Sequence, residues 1–243
     1  MENKISLLIN KFVSWFQFRI DTTKYFLDRP KLDYQPLPWV GIPHASIRGE
    51  ATEARWKDIQ KHIGGNCLSL KDIGSCFGYF CIAASVEKKM YSFGIDFQDR
   101  FLRIANYGIP QESKGRCNFI KLYITAETAS LLPHTDVTLC LSIWHHWVSS
   151  YGLDKATSIL QSLWKSTNHV LFFESGEEEI KDEFKMPFPD DQPAKLWLGK
   201  YLKEILPTST VEEVGRYEVG KYSHYQLKDF KRTMFKISKI TVE

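Results

Sequence analysis

From residue 68 onward, short apolar runs alternate with stretches in which apolar positions recur every three or four residues. The runs at 68–73, 90–96, 119–124, 137–142 and 169–174 read as buried strands. The stretches at 78–87, 98–107, 153–166 and 194–206 read as helices, and only a short link follows the third run. A chain that returns to a strand after each helix builds a parallel sheet covered on both faces. The habit then changes: 211–219 and 233–240 alternate as strands with no helical pattern between them, and 220–231 reads as a loop. The pattern predicts an α/β fold with a seven-stranded, mostly parallel sheet, helices on both faces and a C-terminal antiparallel strand pair.

Upstream of residue 68 the rhythm is different. Ile5, Leu8, Ile9, Phe12, Trp15, Phe16 and Ile20 fall at helical spacing, and Lys4, Asn10, Lys11, Gln17 and Arg19 interrupt them. That stretch lacks both the unbroken apolar core of a signal peptide and the ~20 apolar residues of a spanning helix. It predicts a helix that packs on the domain or on a sister subunit, or that lies in a membrane interface. Pro30, Pro36, Pro38 and Pro43 then mark an extended connector, and 50–63 reads as a helix ended by Gly64 and Gly65. The division is therefore a helical extension and proline-rich connector at 1–47, then one domain at 48–243.

Composition changes this picture little. A chain of 243 residues that is 43% hydrophobic can bury a sizeable core. Its 32 Lys and Arg against 29 Asp and Glu leave a net charge of +3, which does not announce a nucleic-acid partner. The five cysteines form no CxxC or Cys/His ligand spacing, which points to no metal and suits a reducing, cytoplasmic compartment, with the N-terminal helix as a peripheral membrane contact.

The candidate chemistry begins at the turn after the first strand, DIGSCFGYF. Asp72, Gly74 and Gly78 stand at the carboxyl edge of the sheet, where open parallel sheets bind ligands. Their spacing, D-x-G-x-x-x-G, is not the G-x-G-x-x-G of a dinucleotide site, so a pyrophosphate is disfavoured. The second strand ends in GIDFQ, where Asp96 can accept both hydroxyls of a ribose and Phe97 can lie against a purine. Asp96 also suits the N-cap of the helix at 98–107. A ribose site without a pyrophosphate site points to S-adenosylmethionine as the cofactor.

DIGSCFGYF, GIDFQ, TAETASLLPHTDVTLCLS, LSIWHHW and VLFFES, in that order before a terminal strand pair, resemble the class I S-adenosylmethionine-dependent methyltransferases over residues 48–240. The DxGxxxGxF and LSxxHH combination is similar to bacterial methyltransferase domains acting on O-antigen glycans, and more weakly to capping methyltransferases of small nuclear RNAs. The resemblance implies a Rossmann-like fold in which Asp72, Gly74, Ser75 and Gly78 line the methionine end of the cofactor. It implies that Asp96 takes the ribose with Phe97 beside the adenine, that Thr125 and Ala126 contact the adenine, and that the backbone around Ser142 floors the pocket. The acid usual near the adenine is absent, Thr125 standing in its place, and Cys76 replaces the middle glycine of the turn.

His145 and His146 follow the fourth strand at the edge where an acceptor meets the methyl group, and either can serve as base or clamp for a hydroxyl. Adjacent histidines on a helix diverge, and no acid is spaced to complete a metal site with them. Glu174, at the end of the fifth strand, is a further candidate for touching the acceptor. Arg48 and Arg55 can close over the cofactor's carboxylate or pair with surface acids; Tyr222, His224 and Tyr225 can edge the acceptor pocket or simply pack. The chain carries no NPPY-like segment and no Pro-Cys nucleophile, which argues against methylation of base amino groups and covalent attack on a pyrimidine. What is left is direct transfer to oxygen or an activated nitrogen, and the leading reading is an oxygen of a small molecule or glycan. The alternatives are an RNA acceptor, or an inactive scaffold docked through the N-terminal helix.

Overall fold

The computed structural model describes residues 4–28, 35–41, 47–219 and 230–240. Two helices come first, α1 (Lys4–Asp28) and α2 (Ile47–Ile59). The alternating part follows: β1 (Ser69–Ile73), α3 (Tyr79–Glu87), β2 (Tyr91–Asp96), α4 (Asp99–Gly108), β3 (Cys117–Lys121), α5 (Ala126–Ser130) and β4 (Thr135–Leu141). Then come α6 (Trp144–Tyr151), α7 (Leu153–Lys165), β5 (Thr167–Glu174), α8 (Ala194–Ile205), β6 (Ser209–Glu218) and β7 (Lys231–Lys239). The seven strands form one sheet in the order β3-β2-β1-β4-β5-β7-β6. β1 to β5 pair in parallel, and β7 runs antiparallel to both β5 and β6.

Strand periodicity divides the core. Leu70, Val137, Leu139, Val170 and Phe172 face α2, α3 and α4, meeting Trp56, Ile59 and Ile82. Ile73, Cys140, Leu171, Phe173 and Ile237 face the other way, meeting Trp144, Ile159, Leu163 and Leu198 of α6, α7 and α8. Lys71 intrudes on that second face, fully buried in β1. Its ammonium donates to the Pro133 and Ser166 carbonyls at 3.0 and 2.9 Å and to Ser166 Oγ at 2.6 Å, and desolvation lowers its pKa to about 7. All five cysteines are buried, and among the described residues none is in a disulfide.

Chain order places the ligand edge. From β1 the strands run outward to β2 and β3, and the chain then crosses back to add β4 and β5 on the other side, so order reverses between β1 and β4. The third strand is Cys117–Lys121, shorter and earlier than the apolar pattern indicates, because Leu122, Tyr123 and Ile124 leave the sheet to wall the edge instead. The proline-rich connector contributes a short 3₁₀ turn at Pro38–Val40 and buries Leu37; residues 29–34 and 42–46 lie outside the described ones.

Candidate active site

The turn from β1 to α3 is held in an unusual backbone. Gly74, Cys76 and Gly78 all have positive φ, at 76°, 51° and 79°. Cys76 is the costly one, since a side chain in the left-handed region is disfavoured by roughly 1–2 kcal/mol. It is held there because its N–H donates to Asp96 Oδ2 at 3.0 Å, while Gly74 and Ser75 N–H both donate to the Ile95 carbonyl and Gly78 N–H to the Ser75 carbonyl. These donors are thus spent inside the fold. At the N-terminus of α3, Tyr79 N–H donates to Gln35 Oε1 from the connector at 3.2 Å. The donors a pyrophosphate would use are therefore engaged.

Two adjoining cavities open at this edge and share Gly74, Leu141 and Ser142. The larger, about 450 Å³, is walled by Asp96, Phe97, Phe101, Tyr123, His146 and Tyr151, with Leu122, Ile124, Ile143 and Trp147 completing it. Phe97 is exposed and meets Tyr123 edge-on at 5.6 Å. Burial and a hydrogen bond to Tyr123 push the Tyr151 phenol up to about 12. The smaller cavity, about 60 Å³, is strongly polar, with Asp72, Glu174 and Glu218 opposite Arg55 and Arg232, and with Gln35 and Thr52 on its wall.

Asp72 is strongly perturbed. Its carboxyl is buried, Oδ2 has no partner among the described residues, and burial together with the Asp96 charge raises its pKa to about 8. Against an ordinary value near ~3.9, the folded protein holds a proton that the unfolded chain lacks between about pH 4 and 8. Stability contributed by this group therefore falls as pH rises through that window and levels off above it. Asp72→Asn is expected to make the pH dependence of unfolding free energy shallower between pH 5 and 8, measured by denaturant titration; an unchanged slope would contradict the assignment.

Asp96 lies on β2, its carboxylate accepting from Cys76 N–H and from Gln98 N–H at 2.9 Å. It closes a local turn rather than capping the helix: α4 begins at Asp99, and the capping position falls on Gln98. A carboxylate has about four lone-pair directions, so acceptor capacity toward the cavity remains. Desolvation raises its pKa.

Other candidates are placed differently from their sequence expectation. Ser75 is buried beneath the turn, and Gly78 sits under the ring of Phe119; neither lines either cavity. Thr125 caps α5 in a reciprocal box with Thr128, which occupies its hydroxyl, and Ala126 packs toward the core; Leu122, Tyr123 and Ile124 hold the cavity wall instead. His145 is buried, its Nδ1 accepting from Gly176 N–H at 3.2 Å, and burial pushes its pKa well down. His146 alone of the pair lines the larger cavity; desolvation first and the Arg232 charge second lower its pKa. The side chain of Arg48 lies outside the described residues, as do Tyr222, His224 and Tyr225.

Glu174 is brought to the edge but is committed. Arg55 Nε and Nη2 donate to its two oxygens at 2.7 and 3.1 Å, and Ser142 Oγ donates at 2.6 Å. Arg232 continues the chain, donating to Ser142 Oγ at 3.0 Å and to Glu179 at 2.6 Å. Ser142 itself has φ 56°, a second strained non-glycine at this edge. Gln35, Thr52 and Arg232 gave no sequence signal, since each reaches the edge from an element far along the chain.

This architecture is that of known methyltransferases. WbdD, described as a bifunctional kinase-methyltransferase, matches with a TM-score of 0.62 at 20% identity over 88% of this chain. The match takes in 46% of WbdD, so the chain spans about half its length. Magnesium protoporphyrin IX methyltransferase (ChlM) from Synechocystis PCC 6803, with bound SAH, matches with a TM-score of 0.56 at 12% identity over 78% of this chain and 82% of that one. Precorrin-6y C5,15-methyltransferase from Geobacter metallireducens GS-15 matches with a TM-score of 0.50 at 13% identity, over 77% of this chain and 89% of that one. No protein-family model and no curated protein sequence matches the chain. The fold is that of the class I S-adenosylmethionine-dependent methyltransferases, with the seven-stranded sheet and C-terminal antiparallel pair that the hydrophobic pattern predicts.

Proposed function

We propose that the protein is an S-adenosylmethionine-dependent methyltransferase that acts on an oxygen of a small molecule or glycan, with His146 as the base. The observation that carries this reading is one continuous cavity with a ribose-type carboxylate, Asp96, and an imidazole, His146, in the same wall. The polar cavity beside it suits an amino-acid zwitterion: Asp72 Oδ2, buried and without a partner among the described residues, is an acceptor for an ammonium. Phe97 and Tyr123 give an adenine an aromatic face, and Gly74 brings backbone close where a side chain would press on Ile143. The cofactor, when bound, supplies a methyl group on a positively charged sulfur.

Methyl transfer to a hydroxyl is an in-line displacement, so positioning supplies much of the rate and proton removal supplies the rest. His146 is held neutral near pH 7 because burial and Arg232 oppose its charged form. A neutral imidazole takes the acceptor's proton as the oxygen–methyl bond forms. His145, anchored on Gly176, and Phe184, edge-on to both imidazoles at 5.0 Å, fix the ring of His146.

Incubation with methyl-labelled S-adenosylmethionine and separate pools of glycans, small-molecule alcohols and RNA tests the reading. Label should enter the glycan or alcohol pool. His146→Ala should lower the rate by about 10²–10⁴ while cofactor binding is kept. Label entering RNA alone, or full activity in the variant, would contradict it.

A further inference from the structure

Among the described residues of α1, the buried contact with the domain lies on one side. Phe18 is buried against α4 and stacks on Tyr107 with ring centroids 4.0 Å apart. The opposite side carries Leu8, Ile9, Phe12, Val13, Trp15, Phe16 and Ile20, each between 44% and 65% exposed. Phe12 contacts Trp15 and Phe16 at 6.1 and 6.3 Å, so the aromatic residues form one patch along the helix. An apolar stripe of this breadth normally faces a core, and here it points away from the domain.

The charges on α1 identify what covers it. At 3.6 residues per turn the helix sets positions 4 and 11, both lysines, along one border of the stripe and position 24, also a lysine, along the other. Positions 21 and 28, the helix's acids, fall opposite the stripe. An apolar face bordered only by bases is complementary to a layer that is apolar inside and negatively charged at its surface. Long basic side chains at such a border extend toward the headgroups while their stems stay apolar, and Trp15 suits the same boundary. Two copies of the stripe packed together would bring these basic borders against each other with no acid between. Among the described residues no helix is long and apolar enough to cross a membrane, so α1 would lie in the surface.

We propose that α1 docks the protein on an anionic lipid surface, through the face of Leu8, Phe12, Trp15, Phe16 and Ile20, with the basic positions 4, 11 and 24 at its borders. This goes beyond the methyltransferase reading and does not depend on it. Flotation of the full chain with phosphatidylcholine vesicles, with and without phosphatidylserine, tests it, alongside mass measurement by light scattering.

The chain should float with the phosphatidylserine vesicles and bind pure phosphatidylcholine at least about tenfold more weakly, since each base near an anionic surface adds to binding. Phe12→Ser with Phe16→Ser should abolish flotation while near-ultraviolet dichroism of the domain is unchanged. Lys4→Gln with Lys11→Gln, which leaves the apolar face intact, should reduce the preference for anionic vesicles. Equal binding to both vesicles overturns the charge argument. No flotation overturns the proposal, and a dimer dissociated by the Phe12 and Phe16 substitutions would assign the face to a second copy of the chain.

Discussion

Asp96→Ala is expected to weaken S-adenosylmethionine binding by at least about 100-fold and to destabilise the protein by about 1–3 kcal/mol, because the carboxylate serves the ligand and the fold together. On the fold side it accepts from Cys76 and Gln98 N–H, and the Cys76 donor is buried beneath a turn with three left-handed residues. Removing the acceptor takes a hydrogen bond from a buried N–H and releases a contact that holds Cys76 at φ 51°. On the ligand side, two hydrogen bonds from a diol to a charged acceptor account for the loss of affinity. Asp96→Asn separates the effects in part: its one amide oxygen can still accept from the Cys76 N–H, its NH2 cannot accept from Gln98 N–H, and the charge is lost. Its stability by denaturant titration should therefore stay closer to the parent while calorimetric affinity falls. Full affinity in either variant would remove Asp96 from the site.

Gly94→Ala should have a comparably large effect from a position with no polar atom to offer. Gly94 lies in the middle of β2, and a Cβ there would stand 2.6 Å from Ser75 Cβ, 2.6 Å from Ser75 Oγ and 2.6 Å from Phe119 Cδ1. Phe119 is half-buried and can rotate. Ser75 cannot, since its N–H is bonded to the Ile95 carbonyl and its carbonyl receives Gly78 N–H. The added methyl therefore pushes on the ligand turn from below, and overpacking of this kind costs about 1–3 kcal/mol. Cofactor affinity should fall together with stability. Ser75→Gly in the Gly94→Ala background removes both serine contacts and should recover part of the stability, which a general weakening of the strand would not allow.

Much of the frame was legible from the chain. The alternation of short apolar runs with stretches of helical period, ending in two strands of alternating pattern, fixed the class, and Asp72, Gly74, Asp96 and Phe97 fall at strand ends where any parallel sheet exposes its ligand edge. The end of the third strand was misplaced by a few residues: 119–124 is apolar except for Lys121, and hydrophobicity cannot tell the strand from the cavity lining that follows it. The roles within His145-His146 were not legible either. Which imidazole turns inward depends on where Gly176, thirty residues later, places its N–H. Helix α6 shows the helical period, with Trp144, Trp147, Val148 and Tyr151 on one side and the exposed His146, Ser149 and Ser150 on the other, but its eight residues are too few for the period to stand out beside the preceding strand. Glu174 reads as a free acid at a strand end, and its partners Arg55 and Ser142 come from α2 and the end of β4. Pairing across elements distant in sequence leaves no local trace.

The central claim is that this edge of the sheet holds S-adenosylmethionine, and calorimetric titration of the full chain tests it most directly. S-Adenosylmethionine should bind and NAD should not, because the donors that a pyrophosphate needs are engaged by Ile95, Asp96, Ser75 and Gln35. Below pH 8, binding should also release a proton, as Asp72 ionises beside the ligand's ammonium, and repeating the titration in buffers of different ionisation enthalpy measures that release. Saturable binding with proton release, lost in Asp72→Asn, is the predicted result. A folded protein that binds NAD, or that binds no S-adenosylmethionine at millimolar concentration, would contradict the account.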